Sequence, residues 1–111
     1  MIKDRFGFPV IEQAHQRIGQ FVKKTALEYS LKLSEICNGE VYLKLENQQY
    51  TNSFKVRGAL NKLAQLTLEQ RRKGVVTASS GNHAQGVAFA SRMLEIPATI
   101  FVPETVSTIK L

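Results

Sequence analysis

Three observations in the chain predict an α/β fold with a parallel sheet flanked by helices. Strand-like and helix-like segments alternate from Leu68 onward, the run Val75-Val76-Thr77-Ala78 is short and nearly all apolar, and a small-residue turn, Ser79-Ser80-Gly81, joins that run to the next helical pattern. Strand, helix and strand of these lengths form a βαβ unit with a right-handed crossover. In such sheets ligands gather at the carboxyl ends of the strands, which is where Ser79 to His83 begins.

The elements follow in chain order. Pro9-Val10-Ile11 opens an amphipathic helix with Ile11, Ala14, Ile18 and Val22 on one face and His15 toward solvent. The segment Thr25 to Leu33 is ambiguous, and Leu31 to Ile36 reads as a helical turn stopped at Asn38-Gly39. Val41 to Glu46 alternates with period two, so it is a strand burying Val41, Leu43 and Leu45. Asn52-Ser53 caps a helix that carries Val56, Ala59, Leu60, Leu63 and Ala64 at spacings of three and four. Thr67-Leu68-Glu69-Gln70 is a capping box, and the helix it starts ends in Arg71-Arg72-Lys73 before Gly74, where cations meet the negative end of the helix dipole. Val75 to Ala78 is read as a strand buried on both faces. A helix from about Asn82 to Leu94 turns Ala84, Val87, Ala88, Ser91 and Leu94 to the sheet, and Pro97 to Val102 is a further strand ended by Pro103.

Composition excludes several function classes. At 111 residues there is room for one small domain, and the final Ser107 to Leu111 reads as a helix opening without a stop signal, so the chain is expected to be the N-terminal portion of a longer protein. A net charge of +6 comes from scattered basic residues with no zinc or aromatic motif beside them, so no nucleic-acid partner is expected. No apolar stretch approaches the roughly 18 residues of a membrane span, and the start lacks a signal-peptide core. The single cysteine, Cys37, forms no internal disulfide, fits a reducing cytoplasm, and is read as a small buried or half-buried apolar residue. One His in the second motif makes no metal site.

Two segments carry chemistry. Ser53-Phe54-Lys55-Val56-Arg57-Gly58-Ala59 places an amine at a helix start, with partial burial beside Phe54 and with Gly58 allowing the helix to pack closely against a neighbour or a ligand. Ser79-Ser80-Gly81-Asn82-His83-Ala84-Gln85-Gly86 places hydroxyls, an amide and unpaired backbone N–H groups where a strand becomes a helix, a site suited to a carboxylate. Read alone, Lys55 is a solvated surface lysine, Arg57 a helix-surface or salt-bridge residue, and the second segment a set of ordinary caps.

In order and together, the segments resemble the fold-type II pyridoxal-phosphate enzymes, and among them the group of threonine dehydratase (threonine ammonia-lyase), serine dehydratase and serine racemase. The resemblance also takes in Ala14, Arg17-Ile18, Thr25, Tyr42 to Asn47, Val102-Pro103-Glu104 and Lys110. Two departures stand out: Ala26 in place of the usual proline, and Asn52 in place of the usual glycine, a change that the tolerance of Asn for a left-handed backbone makes conservative.

The resemblance implies an incomplete tryptophan synthase β-like fold. Residues 1–66 would begin the large cofactor domain, including the Lys55 motif, and residues 67–111 the smaller mobile α/β domain. It implies pyridoxal 5'-phosphate held as a Schiff base on Lys55, with Phe54 and Asn82 also binding the cofactor, Asn82 through its 3-hydroxyl oxygen. Ser79, Ser80, Gly81, Asn82 and His83 would hold the amino-acid substrate, with Ser80 at the position that serves as opposite-face acid or base in the racemases. Lys55, displaced by the substrate amine, would take the Cα proton, and loss of the β-hydroxyl of L-threonine or L-serine would give ammonia and a 2-oxo acid. A homo-oligomer is expected. Serine racemization is the alternative within the family; a non-catalytic folding or interaction unit is the alternative outside it. The family's glycine-rich phosphate loop is expected after Leu111, so the 111 residues alone are expected to be inactive.

Overall fold

The computed structural model describes residues 7–105. The chain's first five residues, the helix opening at Ser107 to Leu111 and Lys110 lie outside them. Helix α1 (Phe8–Ile18) starts on Pro9 and runs into a 3₁₀ turn, Gly19–Phe21. Strand β1 (Leu27–Tyr29), helix α2 (Leu31–Cys37) and strand β2 (Tyr42–Lys44) follow, then a second 3₁₀ turn at Glu46–Gln48. Helix α3 (Lys55–Ala64), helix α4 (Leu68–Lys73), strand β3 (Val75–Ala78), helix α5 (Asn82–Met93) and strand β4 (Ala98–Phe101) complete the described residues.

β3 and β4 pair in parallel with Val75 opposite Ala98 and Ala78 opposite Phe101, which makes β3–α5–β4 the expected βαβ unit. β1 and β2 instead form a separate antiparallel pair, Leu27 opposite Lys44 and Tyr29 opposite Tyr42. The ambiguous stretch after Thr25 thus holds a strand whose existence depends on its partner. α2 ends where the sequence indicated: Asn38 adopts φ 49°, and Gly39 N–H donates to the Ser34 carbonyl at 3.1 Å.

The core lies mainly between α3 and α5. Val56, Ala59, Leu60 and Leu63 of α3 are buried, as the helical spacing predicts, against Val87 and Ala90 of α5, with Ile18 and Ile96 closing the ends. Several expectations fail by facing. On α5 it is Gly86 and Ala90 that are buried beside Val87 and Ser91, whereas Ala88 is exposed, because the helix turns its narrow side to α3 as well as to the sheet. β3 has a half-buried and an exposed face, Val76 being 71% exposed, since nothing among the described residues covers that side. Leu43 is exposed and Val41 and Leu45 only half-buried, because no layer among the described residues packs over β1–β2. Cys37 is exposed rather than buried: α2 is a surface helix that buries only Ser34.

Polar contacts join the pieces. Thr67 and Gln70 form the capping box, Gln70 N–H donating to Thr67 Oγ1 at 3.2 Å and Thr67 N–H to Gln70 Oε1 at 2.9 Å. Of the basic run, Arg71 does more than meet a dipole, since its guanidinium donates to the carbonyls of Leu66 and Ala64 at the end of α3, at 3.1 and 2.9 Å. Gly74 is required by its backbone: φ is +78°, and a Cβ would stand 2.8 Å from the Pro97 carbonyl oxygen at the entry to β4.

Candidate active site

Lys55 is the first residue of α3, and the loop before it is tightly determined. Asn52 takes φ 53°, the left-handed conformation for which Asn was the tolerable replacement of glycine. Ser53 is buried, its Oγ accepts from the Lys55 N–H at 3.4 Å, and Thr51 Oγ1 donates to its carbonyl. The Lys55 side chain itself is exposed, with Nζ 5.1 Å from the centroid of the Phe54 ring. Phe54 is 59% exposed, so it is not a core residue, and the burial expected for Lys55 is absent among the described residues.

The first turn of α3 is held by an ion pair: Arg57 is the salt-bridge residue that was one of its two sequence readings, and its partner, Glu46, the sequence did not single out. Arg57 donates Nε to Glu46 Oε2 at 2.7 Å and Nη2 to Oε1 at 2.8 Å, a bidentate pair whose side chains are 28% and 14% exposed. Thr25 Oγ1 donates to the same carboxylate at 2.6 Å. These donors, Arg57 foremost, hold the Glu46 carboxyl down to about 2 from 4.5 against the opposing effect of burial. Gln49, 1% exposed, donates to the Lys23 carbonyl at 2.8 Å and accepts from the Lys23 N–H at 3.0 Å, imitating a strand partner. Long-range pairs of this kind leave no spacing pattern in a single sequence; only the polar types inside Leu45 to Arg57 hinted at them.

The second motif lies at the carboxyl end of β3. Ser79 is the residue that caps: its Oγ accepts from the Gly81 and Ala84 N–H groups, each at 3.3 Å, while its own N–H donates to the Phe101 carbonyl at the end of β4. Gln85 N–H is taken by the Gly81 carbonyl at 3.3 Å, and the N–H groups of Asn82 and His83 meet no protein acceptor among the described residues. Asn82 and His83 are exposed; Ser80 and Gly81 are half-buried.

A cleft of about 440 Å³ brings Phe54, Lys55 and Gly58 of the first motif together with His83 of the second, and Val87 and the β3 residues Val75, Val76 and Thr77 also line it. Ser79 and Ser80 line a neighbouring groove with Phe101 and Pro103 instead. The expected sites are therefore split: Lys55, Phe54 and His83 share a cleft, while Ser79 and Ser80 open beside it. Of the two approaches expected at Gly58, the one to a protein neighbour falls elsewhere, while Gly58 does line the cleft where a ligand would lie. A Cβ at Gly58 would meet nothing within 4 Å, whereas one at Gly86 would meet the backbone of Lys55 at 3.0 Å.

Over 93 residues the chain is 56% identical to L-threonine ammonia-lyase of Thermotoga maritima, an alignment covering 84% of this chain and 23% of that one. Its fold superposes on maize serine racemase with a TM-score of 0.84 at 38% identity, covering 92% of this chain and 31% of the racemase. The processed threonine deaminase isoform 2 of Solanum lycopersicum gives 0.76 at 38% identity, covering 94% and 30%. The chain thus spans about a quarter to a third of the length of these proteins. Residues 18–111 match the family described as pyridoxal-phosphate dependent enzymes, and the chain belongs to that family.

Proposed function

We propose that the protein carrying this sequence is a pyridoxal-phosphate-dependent threonine or serine dehydratase: L-threonine or L-serine loses its β-hydroxyl as water, and hydrolysis of the resulting enamine's imine tautomer takes that water back and releases ammonia and a 2-oxo acid. The observation that supports it most is the shared cleft: a primary amine at Lys55, an exposed aromatic face at Phe54 and His83 at the free start of α5 lie round one space. Those are the needs of the cofactor, namely an amine for its carbonyl, an apolar surface for its ring, and donors for its ring oxygen and for a substrate carboxylate. When bound, the cofactor supplies a carbonyl that condenses with amines and a conjugated ring that draws electrons from Cα.

The chain's own residues do the rest. Lys55 would hold the cofactor, and its Nζ would be the base that takes the substrate Cα proton. Asn82 would hold the cofactor through its side-chain amide, and Ser80, Gly81 and His83 would orient the substrate carboxylate. Ser79 acts mainly by fixing the turn, through the bonds its Oγ accepts from Gly81 and Ala84. Residues 1–66 would begin the cofactor domain and 67–111 the smaller one, with the core between α3 and α5 as their contact. A homo-oligomer in the cytoplasm suits the many exposed apolar side chains and the lone thiol.

Borohydride reduction of the cofactor-loaded, full-length protein followed by peptide mapping tests the assignment. The modified residue is expected to be Lys55, and Lys55→Ala is expected to abolish formation of the 2-oxo acid; a modified lysine elsewhere refutes it. Serine racemization is the second reading, favoured by the superposition on maize serine racemase and by the half-buried Ser80 in the turn at the carboxyl end of β3. It predicts D-serine from L-serine, lost in Ser80→Ala while elimination persists.

A further inference from the structure

Glycine inside a helix is unfavourable for local reasons, since it has the largest backbone freedom to lose and no side chain to pack. α5 nevertheless carries Gly86 at a buried position in its second turn. A Cβ there would lie 3.0 Å from the Lys55 carbonyl carbon and 3.1 Å from both the Lys55 oxygen and the Val56 nitrogen. Carbon atoms in ordinary contact stand about 3.5 to 4.0 Å apart. The obstructing atoms are backbone, so no rotamer change relieves the clash; one helix must move. The first turn of α3 has little room to yield, being held elsewhere by the bidentate Arg57–Glu46 pair and by Ser53 Oγ on the Lys55 N–H. The start of α5 is tethered in turn by Ser79, which joins Ala84 to the end of β4.

We propose that Gly86 is a positioning residue for Lys55: its missing side chain sets the distance between the backbone that carries the amine and the Ser79 to His83 turn. This rests on the reading of Lys55 as the cofactor-holding amine and adds to it the element that registers the two motifs. Gly58, whose Cβ would meet nothing within 4 Å, has no such role in the α3–α5 contact.

The test compares wild type, Gly86→Ala and Ala90→Val in the full-length chain carrying this sequence. Ala90 is fully buried one turn further along α5, so valine there overpacks the same helix away from Lys55. Each protein is labelled with pyridoxal 5'-phosphate and borohydride, and separately with acetic anhydride, and the share of each label on Lys55 is read by peptide mapping. Gly86→Ala is expected to lower the cofactor share on Lys55 at least fivefold while acetylation of the exposed amine stays within twofold; Ala90→Val is expected to lower the melting temperature and change neither share. An unchanged cofactor share in Gly86→Ala, or an equal loss in Ala90→Val, overturns the proposal. If Gly86→Ala unfolds, the labelling is repeated in trimethylamine N-oxide, which favours the compact state; a chain still unfolded there also overturns it, because the contact would then govern the whole fold. If wild-type cofactor label spreads evenly over the lysines, the cofactor reading itself fails, an outcome separate from the first two.

Discussion

The region around α3 and α5 and the arm formed by β1 and β2 are held by different forces. Between the helices the contacts are apolar, with Val56, Leu60 and Ala90 at 0% exposure. In the arm every residue of both strands is exposed, and what attaches it to the body is polar: the Glu46 carboxylate taking Arg57 and Thr25, and Gln49 bonding the Lys23 backbone. Burial of apolar area is non-directional and tolerates small shifts, whereas a bidentate ion pair demands a fixed geometry. The helices therefore supply stability, and the arm's staple supplies orientation to the turn that bears Lys55.

The sharpest way to break this contrast is in the core. Leu60→Ala removes a side chain with no solvent exposure and is expected to cost about 2–5 kcal/mol, read as a lowered midpoint in urea; a loss below about 1 kcal/mol would show that α3 and α5 do not share one packed core. Arg57→Met comes next. It leaves the Glu46 carboxylate half its partners, and a loss of roughly 2–3 kcal/mol is expected, with faster amide exchange at Leu45, whose N–H donates to the Ala26 carbonyl across the arm.

The same staple gives the arm a pH dependence that the helix core lacks. The Glu46 carboxyl titrates near 2 in the folded chain against 4.5 ordinarily, so protonation favours the unfolded state. Its contribution is complete above about 4.5 and is lost as pH falls toward 2. Protection of the Leu45 amide should fall across that window in wild type and stay flat in Glu46→Gln; parallel behaviour of the two proteins would refute the role of the pair. Smaller still is Gln49→Ala, expected to cost about 1–3 kcal/mol through two lost bonds to Lys23, again with the arm affected before the helices. The smallest effect belongs to Leu43→Ser: Leu43 is 40% exposed, so stability should change by no more than about 0.5 kcal/mol, and a larger loss would mean that another chain or segment covers the strand.

Legibility in the sequence followed the range of the interaction. The stripe Val56, Ala59, Leu60, Leu63 and the Thr67–Gln70 box were readable because helical spacing and capping act within four residues. Asn52 was readable because left-handed backbone is a property of one residue. The exposed face of β3, the outward turn of Ala88 and the exposure of Cys37 were not, since an apolar residue does not state what lies opposite it. Both site motifs were visible as strings, yet their division between a Lys55 cleft and a Ser80 groove was not.

By itself the sequence determined the helices, the parallel β3–β4 unit, the turn before Lys55 and the family to which the chain belongs, all of them set by local periodicity or by residue types in fixed order. Tertiary structure alone decided that Glu46 meets Arg57 across 11 residues, that β1 pairs with β2, and that the close helix approach falls at Gly86 rather than Gly58. The reason is geometric: which side chains and backbones meet depends on how elements cross in space, and a crossing distance is a property of two elements together that neither one's sequence contains.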